Sequence, residues 1–436
     1  MTNSTGSLIR GRHLLCAVAI GVLCAAMITH AAIPALSPTA YPVVERGAVV
    51  EDFHGTKVAD PYRWMEALDG APVQAFIAAQ NAVSEPFLAA LPDRERFKQR
   101  LTALFQYERY GMPTEEGGQY FYQRNDGKQD QAVLYVSDSA AALGRVLIDP
   151  NTLRGDATVS LSDYVPSPDG KLLAYALADA GSDWDRWYVR DVATGKDRPD
   201  VLEHTKFTSA SWARDGSGFY YSAYPNGDDQ LQAVVYFHKL GDPQAMDRQV
   251  YAVKDHPTRV PYGSVTEDGR YLVLTLDEGT LSNGVLVMAL DGSNTVTPLF
   301  TKYDGLYQYI GSRAGTVDTE LLFQSNAGAP NGRILSVNLG RPGSEPPAPP
   351  LVDAASSMLA LPGGYWAQVR VAESQQVLES SALVGNRLVG VYLQDASSHM
   401  RQFAVADGEP LGEVKLPGLG SVGGISGEAG KREAWF

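Results

Sequence analysis

The feature that most constrains this chain is a turn that comes back. Around residue 170 the sequence reads SPDGKLLAYALADAGSDWDRWYVRDV. Asp169-Gly170 is a tight-turn dipeptide, because glycine accepts the positive φ such turns require. An apolar run follows, then a polar loop, then a second run from Trp187. Two strands of this kind cannot bury their own apolar face and need similar units beside them.

The chain supplies those units. Gly118, Gly216, Gly269, Gly315 and Gly385 each precede a comparable strand: QYFYQR, SGFYYSA, RYLVLTL, TVDTELLF and NRLVGVYL. A partner strand follows each one. The intervals run from 46 to 53 residues, except for 70 between Gly315 and Gly385, where the proline-rich RPGSEPPAPP (residues 341–350) reads as a linker that accounts for the excess. Repeats of about 40–50 residues with several short strands mark a β-propeller; a β-sandwich with coincidental glycine turns is the bland alternative. Gly430 falls 45 residues after Gly385, and Ala434, Trp435 and Phe436 open another strand. The expectation is an all-β, seven-bladed β-propeller over residues 111–436, its seventh blade incomplete, with more chain to follow.

Residues 41–110 read differently. Asp60-Pro61 marks a helix start, and residues 71–91 and 94–105 carry apolar side chains at helical spacing. A short α-helical N-terminal segment is expected, with apolar faces that require a partner. Ahead of it, Arg10 and Arg12, the apolar stretch from Leu14 to Ile28 and the small residues around Ala31 make residues 1–31 an export signal, with an uncleaved membrane anchor as the alternative. Cys16 and Cys24 both lie within it, so the mature protein would hold no cysteine. The expected location is periplasmic or secreted, without stable membrane association.

With the signal removed, the formal charge moves from −14 to −16 by loss of the two arginines. A chain this acidic offers no basic face for nucleic acid. The search for chemistry is mostly negative. Neither Ser217 nor Ser426 sits in a complete Gly-x-Ser-x-Gly. No phosphate loop is present, and His54, His204, His238, His256 and His399 lack zinc-site spacing. His54 reads as structural, Asp179, Asp183 and Asp185 as solvated turn carboxylates, and Trp184 and Trp187 as packing between blades. No catalytic residue, metal ligand or cofactor is expected.

A family resemblance gathers these pieces. EDFHGTKVADPYRWME (51–66), FYQRNDGKQDQAVLYV (121–136), SDWD (182–185), VLEHTKF (201–207), HKLGDP (238–243), NAGAPNGR (326–333) and LPGLGSVGGISG (416–427) resemble, in order, stretches of the prolyl oligopeptidases. The resemblance implies a propeller that caps an α/β-hydrolase domain and admits only short proline-containing peptides. It implies that the N-terminal helices pack on that hydrolase, and that a Ser-Asp-His triad lies downstream of the propeller, beyond these residues. It implies that this chain alone is inactive, and that Phe207 lines the substrate pocket. A stand-alone propeller binding module and an oligopeptidase B-like peptidase are the competing readings.

Overall fold

The structure is a computed structural model. The described residues are 41–436 apart from 156, 226, 228–230, 316–317, 341–357, 428 and 432. The expected export signal with Cys16 and Cys24, and the proline-rich 341–350, lie outside the described residues. The chain divides between Gln106 and Tyr107 into two units.

In the first unit a hairpin, Val50–Phe53 with Thr56–Ala59, turns at His54, which is exposed with φ 54°. The Asp60-Pro61 signal opens a 3-10 turn, Arg63–Glu66, rather than the helix itself, because Arg63 is held back by Asp60 and Glu51. Two helices come next, Ala71–Ala89 with proline in its first turn and Arg94–Phe105. Val73 is their buried residue, and Phe76 meets Trp64 edge-on. Ile77, Leu88, Phe97, Leu101, Leu104 and Phe105 stay exposed. An exposed apolar stripe of this kind is a candidate interaction face. Among the described residues no helix is long and apolar enough to cross a membrane.

The second unit is an all-β propeller. Each repeat becomes one antiparallel sheet in which the strand after the glycine and its partner are the central pair. In blade 2 the strands are Val159–Pro166, Leu172–Asp179, Trp184–Asp191 and Asp197–Lys206, in sequential order. Gly170 takes φ 69°, and a Cβ there would lie 2.5 Å from the Glu116 carbonyl oxygen of blade 1, so the turn needs glycine for conformation and for space. The turn is closed by side chains. Ser167 Oγ donates to Asp169, whose carboxylate accepts from the Lys171 amide, and the Leu172 amide donates back to Ser167. Thr266, Asp268 and Tyr271 repeat this arrangement in blade 4.

Blades pack through apolar seams. Phe121, Leu134 and Val136 of blade 1 meet Leu173 and Tyr175 of blade 2. Trp187 and Leu202 of blade 2 meet Trp212, Phe219 and Tyr221 of blade 3. Similar clusters join blades 3 and 4, 4 and 5, and 5 and 6. The long interval in blade 5 holds more than a linker: a fifth strand, Met358–Ala360, pairs outside Trp366–Val371.

The blade count corrects the expectation of seven. Among the described residues there are six sheets of four or five strands. Beyond blade 6 the chain forms a ribbon of two two-residue strands, Ser426–Gly427 paired with Ala434–Trp435. Glycine-rich sequence on the approach to the ribbon and only two paired residues per strand leave too few apolar positions for a blade. The ribbon nevertheless bridges its neighbours. Gly427 lies against Val384 of blade 6. Toward blade 1, Ser426 Oγ donates to the Pro113 carbonyl, Lys431 pairs with Glu115, and Trp435 meets Tyr120 edge-on.

Candidate functional site

The most unusual backbone in the propeller lies at one end of blade 2. Trp184 opens the third strand and pairs in register with Lys206, the last residue of the fourth. Around them Ala180, His204 and Phe207 take φ of 51°, 58° and 52°. Non-glycine residues in the left-handed region cost of order 1 kcal/mol each and persist where the surroundings fix them. Phe207 uses this turn to stand out from the blade, 64% exposed.

The surroundings that fix it are specific. Lys206 Nζ lies 5.0 Å from the Phe207 ring centre and 5.6 Å from that of Trp184, and 3.3 Å from Asp183 Oδ2. Trp184 also meets Tyr224 of blade 3 edge-on at 5.6 Å. Thr205 Oγ1 donates to the Asp185 carbonyl at 2.7 Å. A β-bulge at Ser162 in the first strand turns its hydroxyl onto Asp185 Oδ1 at 2.6 Å. Burial pushes the carboxyls of Asp163 and Asp185 up from their ordinary values, against the hydrogen bonds they accept. Tyr164 is pushed up to about 12, also by burial. Beside this cluster a cleft of about 370 Å³ is lined by Leu177, Trp184, Tyr188 and His204, with the Arg154–Asp179 pair at its rim. Aromatic walls with a few polar groups suit a peptide side chain.

The residues singled out in the sequence fall into place differently. Trp187 is fully buried between blades 2 and 3, whereas Trp184 stays partly open at the cleft. Asp179, Asp183 and Asp185 each have a cation or hydroxyl partner, and among the described residues no group of three His, Cys, Asp or Glu side chains is arranged to hold a metal ion. Ser217 Oγ donates to Asp215 and Ser426 Oγ to a backbone carbonyl; neither is the activated hydroxyl of a nucleophile. His238 is the surprise. It is fully buried, with both ring nitrogens committed to aspartates, Asp247 at 2.8 Å and Asp200 at 3.1 Å, so it has no lone pair to offer as a base. The alternation in PDVLE, which sets Asp200 on the face of Leu202, was the available signal for it.

Comparison with known proteins fixes the family. Residues 41–436 match the family described as prolyl oligopeptidase, N-terminal beta-propeller domain. The chain belongs to this family. It is similar to the prolyl endopeptidase of Elizabethkingia miricola, 30% identical over 406 residues that make up 91% of this chain and 53% of the relative. A prolyl oligopeptidase of Omphalotus olearius is 27% identical over 415 residues, 86% of this chain and 53% of that protein. Among solved structures, one from a study of two prolyl endopeptidases and their inter-domain dynamics superposes with a TM-score of 0.67 at 35% identity, over 90% of this chain and 54% of the other. A prolyl oligopeptidase B from Galerina marginata, bound to a hydrolysis and macrocyclization substrate, shares the fold at a TM-score of 0.74 and 22% identity, over 90% and 55%. The chain spans about half the length of the relatives it matches. In this prolyl oligopeptidase propeller the exposed Phe207 ring stands at the end of blade 2.

Proposed function

We propose that this propeller governs peptide access to an α/β-hydrolase catalytic partner, which cleaves short peptides after proline by acyl transfer through serine. The supporting observation is the family match across every blade, with relatives named for prolyl cleavage. Phe207 then lines the substrate path, held outward by the Lys206–Trp184 stack. The propeller contributes no nucleophile and is inactive alone. The exposed apolar stripe of the two helices is the docking face for the hydrolase. Residues 1–31 direct export, so the peptides are periplasmic or extracellular.

The test is reconstitution. This chain is co-expressed with the half of the Elizabethkingia miricola prolyl endopeptidase that it does not match. The expected product hydrolyses a short proline-containing chromogenic peptide and leaves a folded protein intact. Phe207→Ala raises its KM about tenfold, the loss of about 1.4 kcal/mol of contact, with no change in melting. Hydrolysis by the chain alone, abolished by a serine-reactive phosphonate, would contradict the proposal; so would a folded complex indifferent to Phe207.

A further inference from the structure

The HKLGDP stretch is not absorbed by the peptide site. His238, on the third strand of blade 3 (Val234–Lys239), is wholly inaccessible to solvent. Its Nδ1 lies 2.8 Å from Asp247 Oδ1, in the same blade. Its Nε2 lies 3.1 Å from Asp200 Oδ1, which belongs to the fourth strand of blade 2. That strand breaks register between its pairs Tyr188–Val201 and Arg190–Asp197, and the bulge swings Asp200 into the seam beside Leu202.

Both carboxylates are occupied on their remaining sides. Asp200 accepts from the Gly241 amide and pairs with Arg198 at 3.4 Å. Asp247 accepts from the Tyr221 hydroxyl at 2.7 Å. The edge of Phe219 and the stacked Tyr221–Tyr236 pair close the site. Asp200 from blade 2 and Asp247 from blade 3 are the titratable groups that face the imidazole; Arg198 reaches it only through Asp200, Tyr221 through Asp247, and Tyr236 through Tyr221. Gln244 adds a second tie across the same seam, exchanging hydrogen bonds with the backbone of Glu203.

A neutral imidazole has one N–H and cannot donate to two carboxylates; the second contact would set a lone pair against an anion. The arrangement therefore requires the imidazolium. We propose that His238, locked between Asp200 of blade 2 and Asp247 of blade 3, is a proton-operated latch on the seam between these blades: closed with both ring nitrogens protonated, released when one proton leaves. Release frees the strand Asp197–Lys206, whose far end carries Phe207.

The direction of the effect comes from the charges. Burial disfavours the charged ring, but the hydrogen bonds and charges of Asp247 and Asp200 outweigh it and hold the imidazole above its ordinary 6.5. Burial would likewise raise Asp200, yet the Gly241 amide and His238 keep its carboxyl below the usual range. A raised histidine stabilises the fold fully below pH 6.5, and that contribution is lost as pH climbs through the folded-state value.

The experiment compares amide exchange in the full chain from pH 6 to pH 10, as protection factors corrected for the intrinsic pH dependence of exchange. The expected result is that protection over residues 198–206 and 234–241 falls about tenfold more than over the blade 4 pair Tyr271–Glu278 and Ser282–Ala289, which lacks such a histidine. His238→Gln, similar in size but uncharged, melts a few degrees below the parent at pH 6, and the difference closes by pH 10. A melting difference that stays constant or widens with pH would overturn the latch. Should the variant not fold, the exchange of the parent decides alone: a pH response of residues 198–206 and 234–241 equal to that of blade 4 refutes the proposal.

Discussion

The seam between blades 2 and 3 and the junction between blades 6 and 1 do the same job with different material. In the first, Trp187, Leu202, Trp212, Phe219 and Tyr221 form one closed apolar cluster, fastened by the buried Asp200–His238–Asp247 bridge and by Trp212 Nε1 donating to the Val165 carbonyl. In the second, a ribbon of two-residue strands reaches blade 1 through one edge-on aromatic contact, one lysine and one hydroxyl, and lays Gly427 and Ile425 against apolar side chains of blade 6. A cleft of about 790 Å³ lies beside it on blade 6, lined by Val389, Met400 and Phe436 among others, and one of about 360 Å³ on blade 1, between Tyr120, Tyr122 and Trp435. In a repeat protein each unit leans on its neighbours, so stability is local and the least-packed junction opens first.

Substitutions can break this contrast. Trp187→Ala should have the largest effect, about 3–5 kcal/mol in denaturant unfolding, because the side chain is fully buried in the closed seam. Trp435→Ala at the open junction should cost only about 1–2 kcal/mol, since its partner Tyr120 and the adjoining cleft are reached by water. Equal losses at the two tryptophans would mean that the ribbon is packed as tightly as a blade. Lys431→Ala should cost below about 1 kcal/mol, the ordinary worth of an ion pair still reached by water, with a difference that shrinks further in high salt.

Acid sharpens the comparison from another side. Asp268, in the blade 4 turn, accepts from Thr319 Oγ1 of blade 5 at 2.6 Å. Burial pushes its carboxyl up, but the bonds from Thr319, Thr266 and Arg270 prevail and hold it at about 2, against an ordinary 3.8. A depressed carboxylate gives stability that is present above pH 3.8 and lost as pH falls toward 2. Melting in the parent should therefore drop across that window, and Asp268→Asn should flatten the drop. An unchanged acid limb in the variant would show that another carboxylate governs it.

The repeat was legible because turn chemistry and period-2 alternation are local. Each of the six glycines precedes a central strand of its sheet, and the strand after it is its partner. The helices were legible for the same reason, from apolar spacing at residues 71–91 and 94–105. What the sequence hid is what distant residues make together. Gly430 keeps the period that points to a seventh blade, but periodicity does not say how many residues a strand can pair. The buried bridge needs Asp200, His238 and Asp247, up to 47 residues apart, and only the bulge in blade 2 brings the first of them to the others. Phe207 could be named from resemblance alone; its left-handed backbone and the lysine seated between two rings could not be read from VLEHTKF.

The contrast between the two junctions is tested most directly by amide hydrogen exchange of the whole chain at a single neutral pH. The account predicts that Gly218–Ala223 and Trp184–Asp191, at the closed seam, exchange only through global unfolding, while residues 426–435 and the blade 6 strand Arg387–Gln394 exchange through a smaller local opening and respond weakly to added denaturant. Protection of residues 426–435 equal to that of Gly218–Ala223, with the same denaturant dependence, would contradict it.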